Sequence, residues 1–135
     1  MSVRLLIVED DPVTQRVLSQ RLEAIGCTVV GIVDNAADAV ARFRELRPDL
    51  ITLDIQMPEV LGVDTMALFA VIRAEDPNCE IIVITGTAFP AYREKFIKAG
   101  VLGFFLKPLN FDKLALDLSK FFPELKSDHH LVRDA

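Results

Sequence analysis

No apolar run in this chain approaches the roughly 20 residues that a membrane-spanning helix needs. The first run, Leu5-Leu6-Ile7-Val8, ends in Glu9-Asp10-Asp11, which a secretory signal peptide would not carry. Basic residues form no cluster and the net charge is −5, so the domain is not expected to bind nucleic acid directly. Cysteine is scarce. Cys27 and Cys79 stand at no metal-ligating spacing and read as small apolar residues kept reduced. His129 and His130 are neighbours in a polar stretch, which is a weak metal signal. There is no internal repeat and no low-complexity segment. These absences point to a cytoplasmic protein without a membrane partner. What is present is a chain of 135 residues, 51% hydrophobic, enough for one domain with a substantial core.

Five apolar runs carry the strand signal: residues 4–8, 28–33, 50–53, 80–84 and 102–106. They are nearly continuous in Val, Ile, Leu and Phe, as expected of parallel strands covered on both faces. Five amphipathic stretches separate or follow them. The first begins at Asp11-Pro12, a cap followed by proline in the first turn. Val13, Val17, Leu22 and Ile25 mark its buried face, and Gly26 ends it. The second starts near Asn35 and stops before Pro48. The third follows Gly62 and ends near Pro77. The fourth runs from Pro90 to Gly100, and the fifth from Asn110 to Pro123. Alternating strands and helices predict an α/β domain with a doubly wound five-stranded parallel sheet over residues 1–123. Residues 124–135 read as a polar tail or linker remnant.

Ligands of such sheets bind beyond the carboxyl ends of the strands. The residues predicted at those ends are Glu9 and Asp10, Asp54, Thr85, and Lys107. An acid cluster facing one hydroxyl and one ammonium suits a divalent cation and a phosphoryl group. Mg²⁺ takes oxygen ligands, which Asp10 and Asp54 can supply, with Glu9 direct or through water. Crowding raises carboxyl pKa values, and a cation or Lys107 opposes that rise. Asp54 is the candidate nucleophile, since a carboxylate can attack phosphorus to form an aspartyl phosphate. Lys107 and Thr85 can each donate to a phosphoryl oxygen. A dianionic group at Asp54 could draw Thr85 inward.

These residues form an ordered set: Val8-Glu9-Asp10-Asp11; Asp54-Ile55-Gln56-Met57-Pro58, then Gly62; Thr85; and Lys107-Pro108. The set resembles the receiver domains of bacterial two-component response regulators, over residues 3 to about 122. The resemblance implies the flavodoxin-like strand order 2-1-3-4-5. It implies that Asp54 accepts a phosphoryl group from a histidine kinase or phosphotransfer protein. Glu9, Asp10, Asp54 and the Gln56 carbonyl would hold Mg²⁺. The Lys107-Pro108 peptide would be cis, and Thr85 and Phe104 would be the switch pair. The implied output is altered binding of a downstream protein target on the surface of the fourth helix, fifth strand and fifth helix. Tyr92, Phe96 and Lys98 are the expected contacts there. Such a domain catalyses its own phosphorylation and dephosphorylation without being a metabolic enzyme.

Departures from the family pattern are specific. Gly86 follows Thr85 where alanine is usual, which would loosen the loop. Leu61 replaces a polar residue. Gln56 and Thr87 occupy positions that tune phosphoryl lifetime, and Phe104 has no hydroxyl. The third helix carries Ala67-Leu68-Phe69-Ala70-Val71-Ile72, apolar almost all round. Phe69 and its neighbours would then form a partner or homodimer surface, or be buried by adjacent elements. The alternative function is the N-terminal receiver module of a longer regulator with a DNA-binding or enzymatic output domain. A flavin protein would want a glycine- and hydroxyl-rich loop after the first strand, and a haloacid-dehalogenase-like phosphatase a D-x-D there. Glu9-Asp10-Asp11 provides neither.

Overall fold

A computed structural model of the protein describes residues 2–86 and 89–125. Thr87, His129 and His130, singled out above, lie outside the described residues. Five strands, β1 (Val3–Val8), β2 (Cys27–Val33), β3 (Leu50–Leu53), β4 (Glu80–Thr85) and β5 (Gly103–Leu106), form one parallel sheet. Its order is β2-β1-β3-β4-β5, as the resemblance implied. Five helices alternate with them: α1 (Pro12–Ala24), α2 (Ala36–Leu46), α3 (Thr65–Glu75), α4 (Pro90–Lys98) and α5 (Phe111–Phe121).

The continuous apolar runs follow from burial on both faces. Side chains alternate across a strand. Leu6, Val8, Ile51, Leu53, Ile81 and Val83 therefore join one core with residues of α2, α3 and α4. Val3, Leu5, Ile7, Leu50, Ile82 and Ile84 join the other, under α1 and α5. Cys27 and Cys79 are buried, and desolvation pushes both thiols up to about 12, so neither is a reactive thiolate.

Helix starts follow capping chemistry. Asp11, Asn35, Asp64 and Asn110 each accept a backbone N–H from the first turn of the helix they precede. The third helix thus begins at Thr65 rather than directly after Gly62. Leu61 and Gly62 are used differently, at φ 53° and 74°, in a tight turn closed by paired Val60–Val63 backbone hydrogen bonds. In α1 the buried side chains are Leu18 and Leu22, with Ile25 just after the helix; Val13 is 62% exposed, against expectation, because it sits in the first turn beyond the sheet's cover. Of the stretch read as a polar tail, residues 124 and 125 are described and the rest lies outside the described residues. Leu125 is 3% exposed and packs into the second core beside Gly26. No described helix is long and apolar enough to cross a membrane.

Thr52 carries a testable anomaly. It shares the face of Leu50 on β3, is 1% exposed, and its hydroxyl has no hydrogen-bond partner among the described residues. A buried hydroxyl without a partner costs about 1–3 kcal/mol. Thr52→Val is therefore expected to raise stability by about 1 kcal/mol in urea unfolding. A lowered midpoint would show that the hydroxyl is satisfied.

Candidate functional site

The carboxyl ends of β1, β3, β4 and β5 meet at one edge of the sheet. Asp54 follows β3 directly and is 5% exposed. Its two oxygens are fixed from opposite sides. Oδ1 accepts the Gln56 backbone N–H at 2.8 Å, and Oδ2 accepts the Lys107 ammonium at 2.9 Å. Glu9, 1% exposed, follows β1; its Oε1 accepts from Lys107 Nζ at 2.6 Å and its Oε2 from the Asp11 N–H at 3.1 Å. Lys107 is carried to this position by the end of β5, where its N–H donates to the Thr85 carbonyl at 2.8 Å. The peptide that follows, Lys107–Pro108, is cis. Thr85 ends β4 and is fully buried, with its hydroxyl 3.5 Å from Gln56 Oε1.

Burial raises the Glu9 carboxyl above its ordinary range, and the neighbouring Asp54 charge adds to the rise; hydrogen bonds from Lys107 and Asp11 oppose it. For Lys107, burial works against the ammonium, but its bonds to Glu9 and Asp54 outweigh that cost and the pKa rises. Asp11 is separate. It points to Thr14, whose hydroxyl and N–H lower its pKa, and it caps α1. Oxygens of Glu9, Asp10 and Asp54 all lie within 4.8 Å of one another. An octahedral Mg²⁺ with bonds near 2.0–2.1 Å sets adjacent oxygens about 3 Å apart and opposite ones about 4.2 Å, so the three carboxylates would draw in around the ion. Asp10 is exposed while the other two are buried, leaving a solvent side for the waters such an ion retains. The donor set fits the cation.

A family model described as the response regulator receiver domain matches residues 5–119. The chain belongs to this family. Chemotaxis protein CheY of Thermotoga maritima is 35% identical over 120 residues, covering 89% of this chain and 98% of that protein. The probable C4-dicarboxylate response regulator DctR of Halalkalibacterium halodurans is 30% identical across 98% of this chain, which spans 58% of that protein. The CheX–CheY–BeF3–Mg complex of Borrelia burgdorferi contains a chain similar at TM-score 0.80 over 89% of each chain; its 24% identity speaks to the fold alone. As a receiver domain, the chain is a module of phosphorylation-based signalling. Receiver domains bind Mg²⁺ through acidic residues and interact with kinases, phosphotransfer proteins and effector partners.

The receiver brings together Glu9, Asp10, Asp54, Gln56, Thr85 and Lys107. Phe104 lies on β5 opposite Val83, half-buried against the first core, while Leu106 is the residue opposite Thr85. Phe96, expected as a surface contact, is 1% exposed, and Phe69 is 5% exposed, which is the buried alternative of its two readings. Their rings pack edge to face at 5.8 Å, and Arg73 covers Phe69 while donating to the Cys79 and Gly100 carbonyls. Adjacent elements thus bury the extra apolar face of α3, leaving mainly Ala67 and Ala70 exposed. Tyr92 is 49% exposed, and Lys98 is exposed in an ion pair with Glu94. Exposed Ile97, Leu106 and Phe121 were missed, since an apolar residue in an element reads as core.

Lys107→Ala is expected to cost the metal-free protein about 2–3 kcal/mol at pH 7. Breaking a buried pair costs roughly 3–5 kcal/mol, reduced here because Lys107 is partly exposed and Glu9 can bind a proton instead. A lysine with a raised native pKa contributes its stability below about pH 10.5 and loses it as pH climbs through the native value, so the gap should narrow in alkali. Mg²⁺ should stabilise the variant more than the wild type, because no ammonium competes for the acids. Urea titrations with EDTA or Mg²⁺ check all three.

Proposed function

We propose that Asp54 is the phosphoryl acceptor of this receiver, with a histidine kinase or phosphotransfer protein as donor. The observation that carries this reading is the setting of Asp54. It is a buried carboxylate with both oxygens positioned, beside an ammonium on one strand end and a hydroxyl on the next. An Asp54 oxygen attacks phosphorus, the new O–P bond forms, and the P–N bond of the donor phosphohistidine breaks, its electron pair returning to the imidazole. Glu9, Asp10, Asp54 and the Gln56 carbonyl would hold Mg²⁺, which supplies charge neutralisation for the incoming phosphoryl group. Lys107 is already placed to follow charge from Asp54 Oδ2 to a phosphoryl oxygen. Thr85 can donate its hydroxyl to another. Its inward pull, with reorientation of Phe104, would alter binding of a protein target on the α4–β5–α5 face, where Tyr92 and Lys98 are exposed. Water attack on the aspartyl phosphate reverses the state.

The test is intact mass after incubation with Mg²⁺ and acetyl phosphate. One Mg²⁺-dependent phosphoryl adduct per chain is expected. No adduct with acetyl phosphate, nor with a phosphorylated histidine kinase, would refute the acceptor role. A second reading, a receiver module of a longer regulator, is favoured by the DctR relative, of which this chain spans 58%. The length of the native reading frame decides between the two.

A further inference from the structure

We propose that Gly86 is a positioning residue. By lacking a β-carbon, it lets the Gln56 side chain lie against Thr85 and so limits how fast a phosphoryl group reaches Asp54. The inference rests on the acceptor role of Asp54. Gly86 is not required by its backbone: Gly26, Gly62 and Gly100 have left-handed φ, and Gly86 does not. A β-carbon there would meet one described atom within 4 Å, Gln56 Oε1 at 3.0 Å. That same oxygen is the one 3.5 Å from the Thr85 hydroxyl, while the Gln56 N–H holds Asp54 Oδ1 at 2.8 Å. Gln56 therefore bridges the ends of β3 and β4, across the gap that a phosphoryl group on Asp54 would share with Thr85.

Alanine at position 86 acts on Gln56 before anything else. The amide oxygen is the free end of a flexible side chain, so it rotates away and the fold is little disturbed. What is lost is the contact with Thr85. A phosphoryl group needs the same hydroxyl, so Gln56 has to withdraw before Thr85 can serve it. The contact is long and neutral, and its removal should change a rate by about threefold, the scale of a weak hydrogen bond.

Four proteins decide the matter: wild type, Gly86→Ala, Gln56→Ala and the double variant. In the unphosphorylated ¹⁵N-labelled proteins, Gly86→Ala is expected to shift the Gln56 side-chain amide signals, which Gln56→Ala identifies by their loss. With Mg²⁺ and acetyl phosphate, each single variant should gain the phosphoryl adduct about threefold faster, and the double variant no faster than either. Unmoved Gln56 signals, or single effects that multiply to about ninefold, would overturn the proposal. If no protein forms an adduct with acetyl phosphate, the four are compared with a phosphorylated histidine kinase as donor; no adduct there either removes the acceptor role and the rate effect with it, while the amide signals still report whether Gly86 seats Gln56.

Discussion

Asp54→Asn is expected to acquire no phosphoryl adduct under conditions that modify the wild type, while folding within about 1 kcal/mol of it. The loss is chemical. A carboxylate oxygen attacks phosphorus with a full negative charge, and a carboxamide oxygen has neither that charge nor a stable phosphorylated product. The fold is spared because the substitution has opposing effects. Asp54 repels the buried Glu9, and removing its charge relieves that repulsion. Against this, the amide cannot accept from both the Gln56 N–H and Lys107 Nζ, so one of the two hydrogen bonds is lost. Each effect is about 1 kcal/mol and of opposite sign. Coincident urea transitions for the two proteins, beside intact masses differing by one phosphoryl group, would assign the defect to the acceptor. An adduct on the variant would place the acceptor elsewhere.

The strands were readable because burial on both faces leaves no polar alternation to mislead. Leu50 to Leu53 and Ile81 to Ile84 could be little else between helical segments. The site was readable because its residues lie directly after those strands, where chain order alone fixes the edge they share. Caps at Asp11, Asn35 and Asn110 were legible for the same local reason. The failures are all non-local. Val13 and Leu18 are both apolar residues of α1, and only the position of the helix over the sheet exposes one and buries the other. An apolar face on α3 says nothing of whether α4 covers it. Leu125 looks like an isolated residue in a polar stretch until Gly26 brings the end of α1 beneath it. The closeness of the Gln56 side chain to position 86 also crosses between loops, so the sequence shows both residues without showing that a β-carbon at one would meet the other.

Phe96→Ala is expected to destabilise the protein by about 3–5 kcal/mol, the cost of emptying a buried aromatic site. The local consequence should be larger than that figure suggests. Phe96 is the buried residue of α4; the other positions from Pro90 to Lys98 are exposed. The helix also has no side-chain hydrogen bond at its N-terminal cap. A helix of nine residues does not persist in water by itself, so the Phe96 ring, edge-on to Phe69, is what keeps α4 on the sheet. Amide exchange across α4 should therefore accelerate well before global unfolding. Tyr92→Ala supplies the contrast: Tyr92 is 49% exposed, and its truncation should cost no more than about 0.5 kcal/mol. Loss of target binding in the Tyr92 variant would report a contact, whereas loss in the Phe96 variant would report a displaced helix. A Phe96→Ala protein as stable as the wild type, with α4 still protected, would mean that α4 is held by contacts other than this ring.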